Sequence, residues 1–153
     1  MRARRQVLSF VCAAPFLKPF AAHAVGSDAV PGAALMKPAE LADLLKGGGP
    51  QPMILQVGFE RLYAQAHIPG ALYAGPGNQD DGLAKLKSQV GSFPHDRAIV
   101  IYCGCCPWTH CPNIGAAYTA LHDAGFTNLK VLYIADNFGA DWVDKGYPVT
   151  RGG

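Results

Sequence analysis

Four cysteines fall within one short run, Cys103-Gly104-Cys105-Cys106-Pro107-Trp108-Thr109-His110-Cys111, and a fifth, Cys12, stands near the start of the chain. A disulfide framework scatters its cysteines to close long loops; these four are gathered into a site. Three kinds of chemistry suit them. Cys103 as a thiolate could attack a sulfur donor and hold the extra sulfur as a persulfide, with Cys105, Cys106 and Cys111 as relay or resolving thiols. Cys103, Cys105, Cys106 and Cys111, with His110 beside them, could instead ligate Zn²⁺ or Cu(I), although their spacing is not that of two separated zinc-finger knuckles. In an oxidising compartment Cys103 could pair with Cys106, or Cys106 with Cys111, both easier than a link between the adjacent Cys105 and Cys106.

The elements that must position this loop are legible on either side. Ala98-Ile99-Val100-Ile101-Tyr102 is a continuous, β-branched run of the kind found in a parallel strand buried on both faces, and it leads directly into Cys103. After the loop, Ile114 to Ala124 reads as a helix with Asn113 as its N-cap and Gly125 at its stop. Strand, loop, helix puts Cys103 at the carboxyl end of a central strand, where open parallel sheets bind ligands. Gly104, Trp108, Thr109 and Asn113 are then expected to shape an anion cradle, in which loop amides and the helix N-terminus lower the Cys103 pKa.

Elsewhere, Pro38 to Lys46 reads as a helix with Leu41, Leu44 and Leu45 on one face, ended by three glycines. Met53 to Val57, Ala71 to Ala74 and Leu129 to Ile134 read as strands, and Leu83 to Val90 and Phe138 to Lys145 as helices. A loop is expected around Tyr63 and His67, and another from Gly75 to Gly82 that includes the solvated turn Asp80-Asp81. The alternation predicts one α/β domain with a mostly parallel central sheet and helices on both faces. Trp142 and Tyr147 read as core. Trp108 either shields a sulfur or packs the loop, and His110 is either a ligand or a solvent-facing residue.

Several stretches together resemble the rhodanese family. Tyr63-Ala64-Gln65-Ala66-His67-Ile68-Pro69-Gly70-Ala71 is similar to its motif ending in His-Ile-Pro-Gly-Ala. Tyr102-Cys103 resembles the strand end that delivers its cysteine, Leu121-His122-Asp123-Ala124-Gly125-Phe126 its helix end, and Trp142 with Gly146-Tyr147-Pro148-Val149 its closing motif. The resemblance implies a rhodanese-like domain over residues 37–150, with Cys103 accepting sulfane sulfur from a small donor and passing it to a thiol acceptor. Such transfer requires no cofactor; Cu(I) or Zn²⁺ belongs to the alternative reading. It also implies that His67 is a structural residue of its turn. The sequence departs from the family pattern at two places. The family's loop is shorter and carries an arginine, whereas here no Arg or Lys lies between Cys103 and Lys130. Gln56-Val57-Gly58 stands where the family often has Asp-Val-Arg.

Length and composition agree with one exported domain. The 153 residues are half apolar, enough for one core. Residues 1–24 read as a cleaved export signal: Arg4-Arg5-Gln6-Val7-Leu8 resembles a twin-arginine motif, the stretch from Val7 to Phe20 is apolar but interrupted by Pro15, Lys18 and Pro19, and Ala22-His23-Ala24 fits a cleavage site. Removing this segment takes away Arg2, Arg4, Arg5, Lys18 and Cys12, and changes the formal charge from +2 to −2. A periplasmic or otherwise exported location follows. The mature chain carries no basic stripe for nucleic acid and no membrane segment. No protein partner is indicated. Residues 25–36 read as a linker.

Overall fold

The computed structural model describes residues 26–152. The expected export signal lies outside them.

Five strands form one parallel sheet: β1 (Leu35–Met36), β2 (Met53–Gln56), β3 (Leu72–Tyr73), β4 (Ile99–Tyr102) and β5 (Leu129–Leu132), in the order β1-β5-β4-β2-β3. β4 is central, pairing with β2 and β5, and all four of its residues are buried. Because successive side chains of a strand point to opposite faces, β4 contributes to two cores. Ile99, Ile101 and then Cys103 join the core beneath α3 (Asp80–Val90) and α4 (Pro112–Asp123). Val100 and Tyr102 join the other, with Leu41 and Ala42 of α1 (Pro38–Lys46) and the fully buried Trp142. Helices therefore cover both faces, as the alternating pattern predicts, and the same alternation decides on which face the Cys103 side chain falls.

The structure corrects several boundaries. The stretch read as a linker over 25–36 is built into the domain from Ser27 onward: two 3₁₀ turns, Ser27–Ala29 and Gly32–Ala34, lead into β1, which pairs with β5 as an edge strand. Val30 and Ala34 are buried, and Lys130 Nζ donates to the Ala33 carbonyl at 2.8 Å. Small residues without periodicity carry no pattern from which that docking can be read. α2 (Glu60–Gln65) replaces an expected loop, and it buries no residue fully, so it lacks the apolar face that marks a helix in sequence. α3 starts at Asp80, so Asp80 and Asp81 lie in its first turn, where acidic groups suit the helix dipole. The expected helix after Phe138 is one π-type turn, Gly139–Val143.

Candidate active site

Immediately after β4 the chain turns through Gly104, whose φ of 74° lies in the left-handed region. A Cβ there would stand 2.6 Å from Phe138 Cβ, and the Gly104 carbonyl accepts the Phe138 amide at 3.1 Å. Cys103 is thereby held in the core, 3 % exposed, while Cys105 and Cys106 emerge half-buried. The chain then makes a 3₁₀ turn at Trp108–His110 and enters α4 through Cys111 and Pro112. Asn113 is not the N-cap. Pro112 suits the first helical position, where no donor is needed, and this moves the cap to Cys111.

The thiols meet. Cys103 Sγ lies 3.0 Å from Cys105 Sγ, and Cys105 Sγ lies 3.2 Å from Cys106 Sγ. Cys103, Cys105 and Cys111 have sulfurs all within 4.8 Å of one another. All four cysteines are free. Asn113, fully buried, donates from Nδ2 to Cys103 Sγ at 3.4 Å and Cys105 Sγ at 3.6 Å, while its Oδ1 accepts the Asn78 amide at 3.2 Å. In such a cluster one sulfur carries the charge and the others donate to it. That sulfur is Cys105: hydrogen bonds from Cys103 and Cys111, with further ones from Cys106 and Asn113, hold its pKa far below the ordinary thiol value against the opposing effect of burial. Cys103 is pushed the other way by its bonds to Cys105 and Cys111 and by burial. Cys106 is raised mainly by burial. For Cys111 the bond from Cys103 and the amides of Ile114 and Asn113 favour the thiolate, but its bond to Cys105 and its burial outweigh them.

The charge thus falls on Cys105 rather than Cys103, and the helix N-terminal amides of Asn113 and Ile114 serve Cys111. The His110 amide donates to Pro107 and the Cys111 amide to Trp108, within the loop, and the Trp108 amide donates to the Ala135 carbonyl beyond β5, so these three donors are engaged away from the sulfurs. Thr109 Oγ1 bonds His110 Nδ1 at 2.8 Å, and both residues are exposed. Of the five expected ligands, Cys103, Cys105 and Cys111 have sulfurs mutually within 4.8 Å, and Cys106 touches this group through Cys105. Trp108 packs its ring 5.1 Å from that of Tyr133 and also lines a small cavity with Cys103, Cys106 and Cys111, so both readings keep an observation. Of the four cradle residues, Gly104, Trp108 and Asn113 lie beside the thiols. His67 is structural: buried, stacked on Tyr63, its Nδ1 2.9 Å from the Tyr63 carbonyl. Trp142 donates from Nε1 to the Pro148 carbonyl at 2.8 Å, as a core residue does, with Tyr147 packed against it.

Cys103 and Cys105 open onto a pocket of about 530 Å³ at the carboxyl ends of β2 and β4, walled on its apolar side by Leu62, Ala66, Phe138 and Val143. Among the lining residues not singled out from sequence as site residues, two bear on the chemistry. Gln56, 2 % exposed at the end of β2, accepts the Gly58 amide on Oε1 and donates from Nε2 to the Cys103 carbonyl at 3.4 Å. A polar residue closing an apolar strand run was the signal for it. Gly58 approaches so closely that a Cβ would lie 3.0 Å from Cys103 Sγ, so the side chain the family often carries there has no room without a shift. The second is Arg151, brought to the pocket from the end of the chain; no local pattern announces it.

The family model described as Rhodanese-like domain matches residues 37–133, more than half of the chain. No curated protein matches. Among solved structures, the chain is similar to the Alr3790 protein from Anabaena sp. (23 % identity, 76 % of this chain and 91 % of that one, TM-score 0.59). It is similar to the BH2092 protein from Bacillus halodurans (22 %, 76 % and 75 %, 0.59). It is also similar to part of a thiosulfate sulfurtransferase from Pseudomonas aeruginosa (20 %, 78 % and 20 %, 0.55). At these identities the likeness speaks for the fold.

Proposed function

Because the chain belongs to the rhodanese-like domain family, we propose that it is an exported sulfurtransferase that moves sulfane sulfur from a small donor to a thiol acceptor through a persulfide on Cys103. The observation that carries this reading is the pair of sulfurs at the pocket floor, Cys103 at the strand end and Cys105 3.0 Å away. The pair shares one proton and one negative charge; Cys103 attacks from the minor form in which its proton has crossed the 3.0 Å contact to Cys105, and the Asn113 amide, within reach of both sulfurs, steadies the charge on Cys103 in that form. With thiosulfate as donor, the Cys103 thiolate attacks the outer sulfur. A new S–S bond forms, the S–S bond of thiosulfate breaks, and sulfite leaves with the electron pair. An acceptor thiolate then attacks the outer persulfide sulfur and releases Cys103 as thiolate. If Cys105 attacks the inner sulfur instead, a Cys103–Cys105 disulfide forms, hydrosulfide leaves, and a dithiol reductant must reopen the site.

Substitution Cys103→Ser tests the reading: sulfite release from thiosulfate, and the mass increase of one sulfur atom on the protein, should both vanish. Turnover at the wild-type rate would overturn it.

A second reading has its own observation. Metal–sulfur bonds of about 2.3 Å place three sulfurs of a trigonal site about 4 Å apart, within the span of Cys103, Cys105 and Cys111. Thiolates at that count suit Cu(I) or Zn²⁺. Elemental analysis of reduced protein decides it: a stoichiometric metal lost in Cys111→Ser supports the metal site.

A further inference from the structure

The geometry points to Arg151 as the residue that selects ligands of the cysteine pocket by charge: the pocket takes organic sulfur compounds bearing an oxyanion, a carboxylate or a sulfonate, which the Arg151 guanidinium binds. This deepens the sulfur-transfer reading and rests on it.

Three observations carry the inference. The first is where the tail is held. Thr150 and His67 exchange backbone hydrogen bonds at 2.8 and 2.9 Å, the Gly152 amide donates to the Ala64 carbonyl at 2.8 Å, and Arg151 Nη1 donates to the Gln65 carbonyl at 3.0 Å. Three consecutive residues are thus strapped to the end of α2, and the arginine between two backbone anchors is aimed before any ligand arrives. A guanidinium has five N–H donors in a fixed fork; one is engaged by Gln65, and the others are available to an oxyanion.

The second is charge. Among the described residues lining this pocket, Arg151 is the one basic side chain, and no Asp or Glu lines it; Gln56, Gln65 and Asn137 are neutral. The cysteine loop itself supplies no cation, and Lys130 is engaged with the Ala33 carbonyl. An anion entering the pocket therefore finds one counter-charge, Arg151, to set against the Cys105 thiolate, in a concavity whose apolar walls strengthen the attraction.

The third is size. Thiosulfate, given a water-sized share of about 30 Å³ for each of its five heavy atoms, occupies about 150 Å³. The pocket of about 530 Å³ is more than three times larger and lies in the usual range for organic ligands. Leu62, Ala66, Phe138 and Val143, which line the same pocket as Cys103, Cys105 and Arg151, offer an apolar stem a surface to lie against.

The test uses methanethiosulfonate reagents that differ in charge: the anionic 2-sulfonatoethyl and the cationic 2-(trimethylammonio)ethyl compounds. A cysteine thiolate attacks the alkylated sulfur, the S–S bond to the sulfonyl group breaks, and methanesulfinate leaves with the electron pair. Rates are read by peptide mapping at Cys103 or Cys105, with Cys106, which does not line this pocket, as internal reference. Relative to Cys106, the pocket thiols should prefer the anionic reagent, and Arg151→Gln should reduce that preference about tenfold. Arg151→Lys should restore part of it. For thiosulfate turnover the Arg151→Gln loss should fall on KM more than on kcat. A preference unchanged in Arg151→Gln, or absent in the wild type, overturns the inference. Labelling needs no sulfur transfer, so it stands or falls separately from the activity.

Discussion

At the residue scale the site is governed by how thiols share charge. An ionised sulfur that accepts several hydrogen bonds is stabilised over its neutral thiol, and the more exposed Cys105 pays less desolvation for the charge than Cys103 does. Cys103 thus waits as a donor, and its reactivity depends on Cys105. The sign of the pH effect follows. Cys105 is held well below the ordinary thiol value, mainly by the Cys103 bond, so it stays a thiolate as pH falls through the range where a free thiol, with pKa about 8.5, is almost wholly protonated. Iodoacetamide at pH 6 should therefore label Cys105 ahead of Cys106, and the Cys105 profile should move to higher pH in Cys103→Ala. Equal labelling of both at pH 6 would contradict this charge assignment. Asn113→Ala removes an amide that reaches two sulfurs and an oxygen that accepts the Asn78 amide. A urea titration should show a loss of about 1–3 kcal/mol, accompanied by slower Cys105 labelling at low pH.

At the element scale the strand end and the turn after it do the positioning. β4 is buried on both faces, so its register cannot slip without exchanging two cores, and Cys103 is as well determined as Ile101. Ile101→Ala should cost about 2–5 kcal/mol by the same urea titration. Gly104 is the other constraint. Alanine there would keep a positive φ and press on Phe138, with an expected loss of about 1–3 kcal/mol and slower labelling of Cys103. An unchanged unfolding midpoint would show that the turn has more freedom than its geometry implies. The inserted loop, by contrast, uses its His110 and Cys111 amides within itself and its Trp108 amide on Ala135, so these donors are not free to reach Cys103.

At the scale of the whole molecule, both ends of the described chain matter to the site. The segment before α1 supplies β1 and two buried apolar residues. A protein beginning at residue 37 should therefore melt at lower temperature than one beginning at residue 25, and equal melting curves would count against that role. The tail closes onto α2 and carries Arg151 to the pocket. Export is a proposal about the intact chain: protein recovered from the periplasm should begin after Ala24, and replacing Arg4 and Arg5 with lysine should leave the precursor in the cytoplasm.

Local chemistry made much of this protein readable from its sequence alone. A continuous β-branched run means a strand buried on two sides, a proline and a glycine bracket a helix, and four close cysteines mean a site. Those patterns, with the resemblance carried by residues 63–71, 102–103, 121–126 and 142–149, were enough for the α/β architecture and for placing Cys103 at a strand end. Which sulfur holds the charge, which loop amides are free, where Asn113 points and how Arg151 reaches the pocket depend on distances between residues far apart in the chain. No local pattern encodes them. They were decided when β4 turned at Gly104, α4 began at Pro112, and the tail paired with His67.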